Sequence, residues 1–353
     1  HAYDIVLRFS NHGLINADVS VSDWKRHDEI IEQDVEVEMF YNLSNYETAN
    51  SYIVNSANYG YCFDATVKGN GDNSIVGGSS KLNPGYVDIL WDDTLLITVN
   101  GVQRKAVTLD SHLLAEGRVL FHVQGNPNDE EDKRLLSEGN VVIAAYDEEG
   151  GNVLWTWHIW FTDKPADLQT GNYTFMDRNL GATFAPNTSD SRLSWTSDAE
   201  RLATYGFYYQ WGRKDPIFGP PAYNSGDETV SGKPKTSQYW VKDYMTGEWS
   251  SRSDFDVASA NSIPVITQAP LTFYTSATNA GGTTCGWFPS SFADGYTNVA
   301  LWGYAVSGTA QGQVFSKSMH DPCPPGYRTP FHRAWSYGNN AGYAYPEDPG
   351  MLN

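Results

Sequence analysis

Apolar and polar residues alternate in short runs over the first 161 residues, the period-two pattern of half-buried strands. The alternation is weak over 3–9 and clear over 15–21 (Ile-Asn-Ala-Asp-Val-Ser-Val), with Asn11-His12-Gly13 as the turn between them. Further strands are expected at 35–41, 51–55, 61–67, 87–91, 95–99, 119–123, 141–146 and 153–161. Between them lie the turn signals Gly69-Asn70-Gly71-Asp72-Asn73, Asn83-Pro84-Gly85, Asn100-Gly101, Gly125-Asn126-Pro127-Asn128 and Glu149-Gly150-Gly151-Asn152. Asn-Gly between two apolar runs is a strong two-residue hairpin signal. Many short strands with regular turns predict a β-sandwich over 35–166. In its last strand Trp155, Trp157 and Ile159 share one face and Trp160 the other. His158, among these tryptophans, reads as a packed, hydrogen-bonded strand residue.

Beyond residue 167 the pattern changes. Asp167 to Gly171 reads as a linker, and a third domain starts at Tyr173. Ser197-Asp198-Ala199-Glu200 is a capping box, which predicts a short helix over 198–205 ended by Gly206. An aromatic run follows, Tyr205-Gly-Phe-Tyr-Tyr-Gln-Trp-Gly-Arg-Lys-Asp-Pro216, with an Asp-Pro turn. Residues 220–269, rich in Gly, Ser, Asp and aromatics, read as long loops, and Thr329-Pro330 has the character of a second helix start.

Three segments recur together: Phe175-Met-Asp-Arg-Asn-Leu-Gly-Ala182, Tyr205–Pro216, and Lys317-Ser-Met-His-Asp-Pro-Cys-Pro-Pro-Gly-Tyr-Arg-Thr-Pro330. In this order they resemble the Fibrobacter succinogenes major paralogous domain. That module is common in Bacteroidetes surface proteins and is related to the C-type-lectin-like and formylglycine-generating-enzyme folds. The resemblance covers 167–353. It implies an α+β, C-type-lectin-like module that normally continues past Asn353, so the third domain is expected to be incomplete. Residues 1–34 resemble the terminal strands of a fimbrillin-type pilin domain, also incomplete, with an ordinary hairpin of the next domain as the other reading. The expected fold class is mainly β with an α+β C-terminal module: pilin-like strand fragment, β-sandwich, lectin-like domain.

Composition narrows the function. The formal charge of −19 argues against nucleic-acid phosphate and anionic membranes as partners. With 12 Trp and 22 Tyr, together with 32 Gly and 17 Pro, the chain fits loop-rich extracellular β domains. No apolar run reaches the ~18 residues of a membrane span. Three cysteines make no disulfide framework; Cys285 and Cys323, in one module, are the candidate pair, against three buried thiols. No phosphate loop, dinucleotide fingerprint, His-Glu-x-x-His or Gly-x-Ser-x-Gly motif occurs. The calcium and sugar triplets of animal C-type lectins are missing too. The expectation is therefore a non-enzyme without cofactor or metal. The acidic run of Asn126, Asn128, Asp129, Glu130, Glu131 and Asp132 reads as a solvated loop. Asp93-Thr94-Leu95 matches a short Asp-Thr-aliphatic O-glycosylation pattern that arises easily by chance.

Sugar sites combine an exposed ring with a few planar hydrogen-bonding groups. The candidate ligand-binding residues are Tyr239, Trp240, Tyr244 and Trp249 on the loops, with Arg213 and Asp215. The last two read equally as an ion pair pinning their turn, and Trp211, Trp302 and Tyr327 read as core. The resemblance implies a cell-surface or fimbrial tip adhesin, exported through the periplasm, that binds host or bacterial glycans or proteins. Its partners would include other pilus subunits joined by strand addition. The alternative is a structural subunit of an extracellular fibre or surface assembly.

Overall fold

Strong β-formers broken by turn residues give a mainly β chain with almost no helix among the described residues. The computed structural model describes residues 3–9, 35–74, 77–94, 96–110, 117–125, 136–170, 173–185, 200, 203–210, 212–217, 239–242, 249–252, 263–271, 301–307, 312–330, 336–337 and 350–351. The first eleven strands are β1 (Tyr3–Phe9), β2 (Val35–Asn42), β3 (Ser51–Val54), β4 (Tyr59–Asp64), β5 (Tyr86–Asp92), β6 (Ile97–Val99), β7 (Val102–Arg104), β8 (Val107–Leu109), β9 (Arg118–Val123), β10 (Gly139–Tyr146) and β11 (Val153–Phe161). Two sheets face each other, one ordered β1-β2-β4-β9-β8 and the other β3-β11-β10-β5. Most neighbours are antiparallel, but β2–β4 and β3–β11 run parallel.

Several boundaries have local causes. Asp64 stops β4 early, because its Oδ1 accepts from the Thr66 amide at 2.8 Å and the Thr66 hydroxyl at 2.7 Å, a local turn that competes with the ladder. Asn100 and Gly101 have φ of 51° and 79°, the positive pair a tight hairpin turn requires, and they join β6 to β7. Strands β7 and β8, three residues each, are too short for alternation to reveal. β1, expected either to end a pilin-like domain or to belong to a hairpin of the next one, pairs with β2 from Tyr3↔Tyr41 to Phe9↔Val35 and is the edge of its sheet. The strand expected at 15–21 and the acidic loop at 126–132 lie outside the described residues.

The core between the sheets is aromatic. Tyr52, Phe63, Phe121, Trp155, Trp157, Ile159 and Phe161 lie in it with Val87, Val141 and Ile143. Phe63 packs on Trp157 with centroids 5.2 Å apart, and Tyr61 stacks on Phe121 at 5.7 Å. Large rings suit this role, since each removes roughly 150–250 Å² from water.

The β3-β11-β10-β5 sheet is also covered on its outer face. β10 is buried from Gly139 to Ala145 and β11 from Trp155 to Phe161. β10 is a near-continuous apolar run (Val-Val-Ile-Ala-Ala), which suits a strand buried on both sides. The cover comes from the second half of the chain. Trp91 and Val142 form an outer cluster against Phe207 and Leu271, and a short helix, Ile263–Gln268, lies against β11.

The rest of the second half is a set of two-stranded pieces. β12 (Asp167–Thr170) pairs antiparallel with β13 (Tyr173–Met176), so most of the expected linker is a strand. β14 (Tyr239–Lys242) pairs with β15 (Trp249–Arg252). This hairpin and the helix at Ile263–Gln268 stand where only loops were expected. Tyr-Trp-Val in β14 are good strand formers, and Pro264 suits the first turn of a helix. β16 (Tyr304–Ser307) pairs with β17 (Gly312–Phe315), and β18 (Ser336–Tyr337) with β19 (Gly350–Met351). Of the helix expected over 198–205, Glu200 and Ala203 are described and helical, with Thr204 N donating to Glu200 O at 3.2 Å. Only Thr329 and Pro330 of the second expected helix start are described, and neither is helical.

Candidate functional site at the sheet junction

Two of the quoted segments meet the outer face of β10 and β11, and the third docks against Asn50 and the 69–72 loop. Gly206, with φ of 61°, turns the chain out of its helix; a Cβ there would overlap the Leu180 carbonyl oxygen. Tyr208 and Ile217 then exchange two backbone hydrogen bonds of 2.8 Å, which closes the turn 212–216. That turn carries Arg213, Lys214 and Asp215 into the junction, where they are 1%, 5% and 3% exposed.

Each is held by several partners. Lys214 Nζ donates to Thr156 Oγ1 at 2.5 Å, Thr156 O at 3.3 Å and Asp215 Oδ1 at 2.5 Å. It also lies 4.4 Å over the Trp155 ring, a cation–π contact. The Thr156 hydroxyl donates in turn to Asp215 Oδ1 at 2.5 Å. Arg213 donates to Gln210 Oε1 at 2.7 Å and to the carbonyls of Ala269 and Pro270 at 3.2 and 3.4 Å, and its Nη2 is 3.7 Å from Asp215. Trp302 Nε1 donates to Arg213 O at 3.0 Å.

The upstream segment closes the second side. Asn140 Nδ2 donates to Gly181 O at 3.1 Å and Trp160 Nε1 to Ala182 O at 3.0 Å. His158 bonds Asn140 Oδ1 through Nε2 at 2.8 Å. Arg178 pairs with Asp163 at 2.5 Å and with Asp177 at 2.8 Å, tying the segment to the end of β11.

The downstream segment closes the third. Asn50 donates through Nδ2 to the carbonyls of Met319 and Asp321, both at 2.8 Å, while its Oδ1 accepts from Trp155 Nε1 at 2.8 Å. Met319 N donates to Asp72 O at 2.9 Å, and Asn70 Nδ2 to Lys317 O at 2.7 Å. Gly69 lets these backbones meet: its φ is 50°, and a Cβ would overlap the Met319 carbonyl. Asp321 pins its own loop by accepting from the amides of Cys323 and Thr329, each at 2.8 Å.

Burial dominates the electrostatics. Desolvation lowers the Lys214 pKa, opposed by Asp215. Desolvation also pushes His158 and His320 down to about 3, with Lys214 reinforcing the effect at His320. Both rings are therefore neutral at pH 7. Burial raises Asp321 and the Cys323 thiol, so Cys323 is not a reactive thiolate.

The expected binding residues fall in two places. Arg213 and Asp215 are interior and engaged within the chain, the turn-pinning arrangement. Tyr239 and Trp240 lie on β14 and Trp249 on β15, with Trp240 opposite Ser251 and Trp249 opposite Lys242. Tyr244 and Trp211 lie outside the described residues. Trp302 and Tyr327 are half-buried. Cys323 is a buried free thiol; its expected partner Cys285 lies outside the described residues. Thr94 is 2% exposed and its hydroxyl donates to Asp92 Oδ1 at 2.5 Å, so this hydroxyl is not presented for glycosylation. Among the described residues no group of three His, Cys, Asp or Glu side chains is placed to hold a metal.

Sequence reasoning missed Asn50, Thr156 and Lys214, which do most to join the halves. Lys214 sat within a quoted motif, and its place between arginine and aspartate was the available signal. Asn50 and Thr156 carry no sequence signal, because only the fold brings a polar side chain there opposite its partners. Comparison with protein-family models, with characterised proteins and with solved structures found no match.

Proposed function

We propose that this chain is a non-enzymatic adhesin of the cell surface or of a fimbrial tip, which binds glycan or protein ligands through its C-terminal half. The observation that supports this reading is how the junction uses its polar groups. Lys214, Asp215, Thr156 and Asn50 are buried and bonded to one another or to backbone. Such a network ties the 213–215 turn and the 317–321 segment to the sandwich. Recognition then falls to the hairpin β14–β15, whose Tyr239, Trp240 and Trp249 supply the rings that sugar faces or apolar peptide side chains need. The lectin-like kinship implied by the three segments points the same way.

The test is a glycan array and a surface-protein pull-down with the full chain, with and without EDTA. Selective binding that Trp240→Ala or Trp249→Ala reduces at least about tenfold, with the urea midpoint unchanged, is the expected result. Absence of binding, together with ordered polymers that the same substitutions disrupt, would replace the adhesin by a structural fibre subunit.

A further inference from the structure

The hairpin β6–β7 stands outside both layers of the sandwich as a two-stranded sheet of its own. Val102, Gln103 and Arg104, the whole of β7, are exposed, and so are Asn100 and Gly101 at the tip. Among the described residues the Asn100 side chain makes no hydrogen bond and the Gly101 amide donates none. A Cβ built on Gly101 would meet no atom within 4 Å, so the space beside that amide is open. A side-chain amide carbon and the next residue's backbone nitrogen are thus neighbours in water, and glycine puts no Cβ in the way of their approach.

The other Asn-Gly of the chain, Asn70-Gly71, is built the opposite way. Asn70 is half-buried, its Nδ2 donates to Lys317 O at 2.7 Å, and its Oδ1 accepts from Asp72 N at 3.0 Å. Gly71 N donates to Lys68 O at 2.9 Å. The side-chain amide and the nitrogen that follows it are both held, and freeing them means breaking all three bonds. One dipeptide therefore occurs twice in the chain, once open and once locked.

We infer that Asn100 is a self-modifying site, converted through a succinimide to aspartate and isoaspartate while Asn70 is spared. The Gly101 nitrogen attacks Asn100 Cγ; the N–Cγ bond forms, the Cγ–Nδ2 bond breaks, and ammonia leaves with the proton from the backbone amide. Water then opens the ring at Cγ, which gives aspartate, or at the Asn100 backbone carbonyl, which gives isoaspartate. Attack requires Asn100 to leave its turn conformation, where φ is 51°. What holds it there is a ladder of three residue pairs, Ile97↔Arg104 to Val99↔Val102, and a two-stranded ribbon of this kind opens at little cost. The product carries one more negative charge. Isoaspartate also adds a main-chain carbon to a turn whose two residues set the register of β6 against β7. This chemistry is the same whether or not the chain is an adhesin.

The experiment incubates the full chain at pH 8 and 37 °C, digests it at low pH, and follows the peptides that contain Asn100 and Asn70. Mass reports the exchange of amide for acid, and labelling by an isoaspartyl methyltransferase reports isoaspartate. Conversion at Asn100 with isoaspartate among the products, at least about tenfold faster than at Asn70, is expected in the folded chain. In concentrated urea the two sites should react at similar rates, because both are Asn-Gly and only the fold separates them. The proposal falls if the folded chain keeps Asn100 as the amide while the unfolded chain converts it. It falls equally if Asn70 converts as fast as Asn100 in the folded chain, if the difference between them persists in urea, or if aspartate forms without isoaspartate.

Discussion

Acid should loosen the junction through His158 and His320. Both have a folded pKa of about 3, against 6.5 for the exposed side chain. A base with a depressed folded pKa binds fewer protons when folded than when unfolded. Its contribution is therefore fully present above pH 6.5 and is lost as pH falls from 6.5 towards 3. At pH 5 the unfolded imidazole is almost fully protonated and the folded one is not, a loss of about 2 kcal/mol per histidine. The pair gives about 4 kcal/mol, a large part of the 5–15 kcal/mol that usually separates folded from unfolded domains. Among the described residues neither ring is hydrogen-bonded to a carboxylate. His158 faces Asn140, Trp160 and Phe207, and His320 faces Lys214 and Lys68, with Asp215 the one opposing carboxylate.

Urea unfolding followed by tryptophan fluorescence at pH 7.5 and pH 5 measures the difference directly, because Trp155 and Trp160 report on the junction. The background has both signs. Asp163, held low by Arg178, loses stability only at lower pH, and Asp321, raised by burial, gains stability as pH falls. Both are present in every variant and cancel in the comparison. His158→Gln with His320→Gln should remove most of the pH difference. An unchanged difference in the double variant, or equal stability of the parent at both pH values, would refute the reasoning.

Other substitutions probe the junction one bond at a time. Asn50→Ala removes two donated bonds and one accepted bond and leaves Trp155 Nε1 unsatisfied, so it should cost about 3 kcal/mol or more by urea unfolding. Thr156→Val keeps the shape but deprives Lys214 and Asp215 of a shared partner; about 2 kcal/mol is expected by the same assay. Gly69→Ala forces a left-handed residue against the Met319 carbonyl and should lower stability by at least about 1–2 kcal/mol, with the loss concentrated in hydrogen exchange of the 66–72 and 317–321 amides.

How far the sequence could be read depended on what kind of signal each element carried. β11 was legible end to end, because Trp155, Trp157 and Ile159 against Trp160 give an alternation that one strand fixes by itself. The Asn100-Gly101 hairpin was equally legible, since two positive φ values need those residues. Gly206 as a helix end was legible for the same reason. β8 and β12 were not, being too short to show a period. The burial of β11's outer face was hidden for a different cause. His158 reads as packed from its tryptophan neighbours, but Thr156 looks like a solvent-facing polar residue until Lys214 and Asp215 arrive from some sixty residues away. Polar residues in a strand mark the surface only when no other part of the chain brings them partners.

That arrival decides how the chain behaves as a mechanical object. A sandwich and an appended module joined by a linker would unfold in two steps and tolerate separation. Here the outer sheet face carries Trp91, Val142, Trp160, Thr156 and His158, all of which become exposed if the second half leaves. The buried ions behave likewise: Lys214 and Asp215 lose the Thr156 hydroxyl together, and a buried pair deprived of a partner costs more than a surface pair ever contributes. The two halves should therefore unfold in one transition, with fluorescence and far-ultraviolet dichroism coincident in urea, and residues 1–166 alone should bind a hydrophobic dye that the full chain excludes. Two separated transitions in the full chain would mean that the junction is a contact between independent domains, and the case for a second half held rigidly on the sandwich would lose its footing.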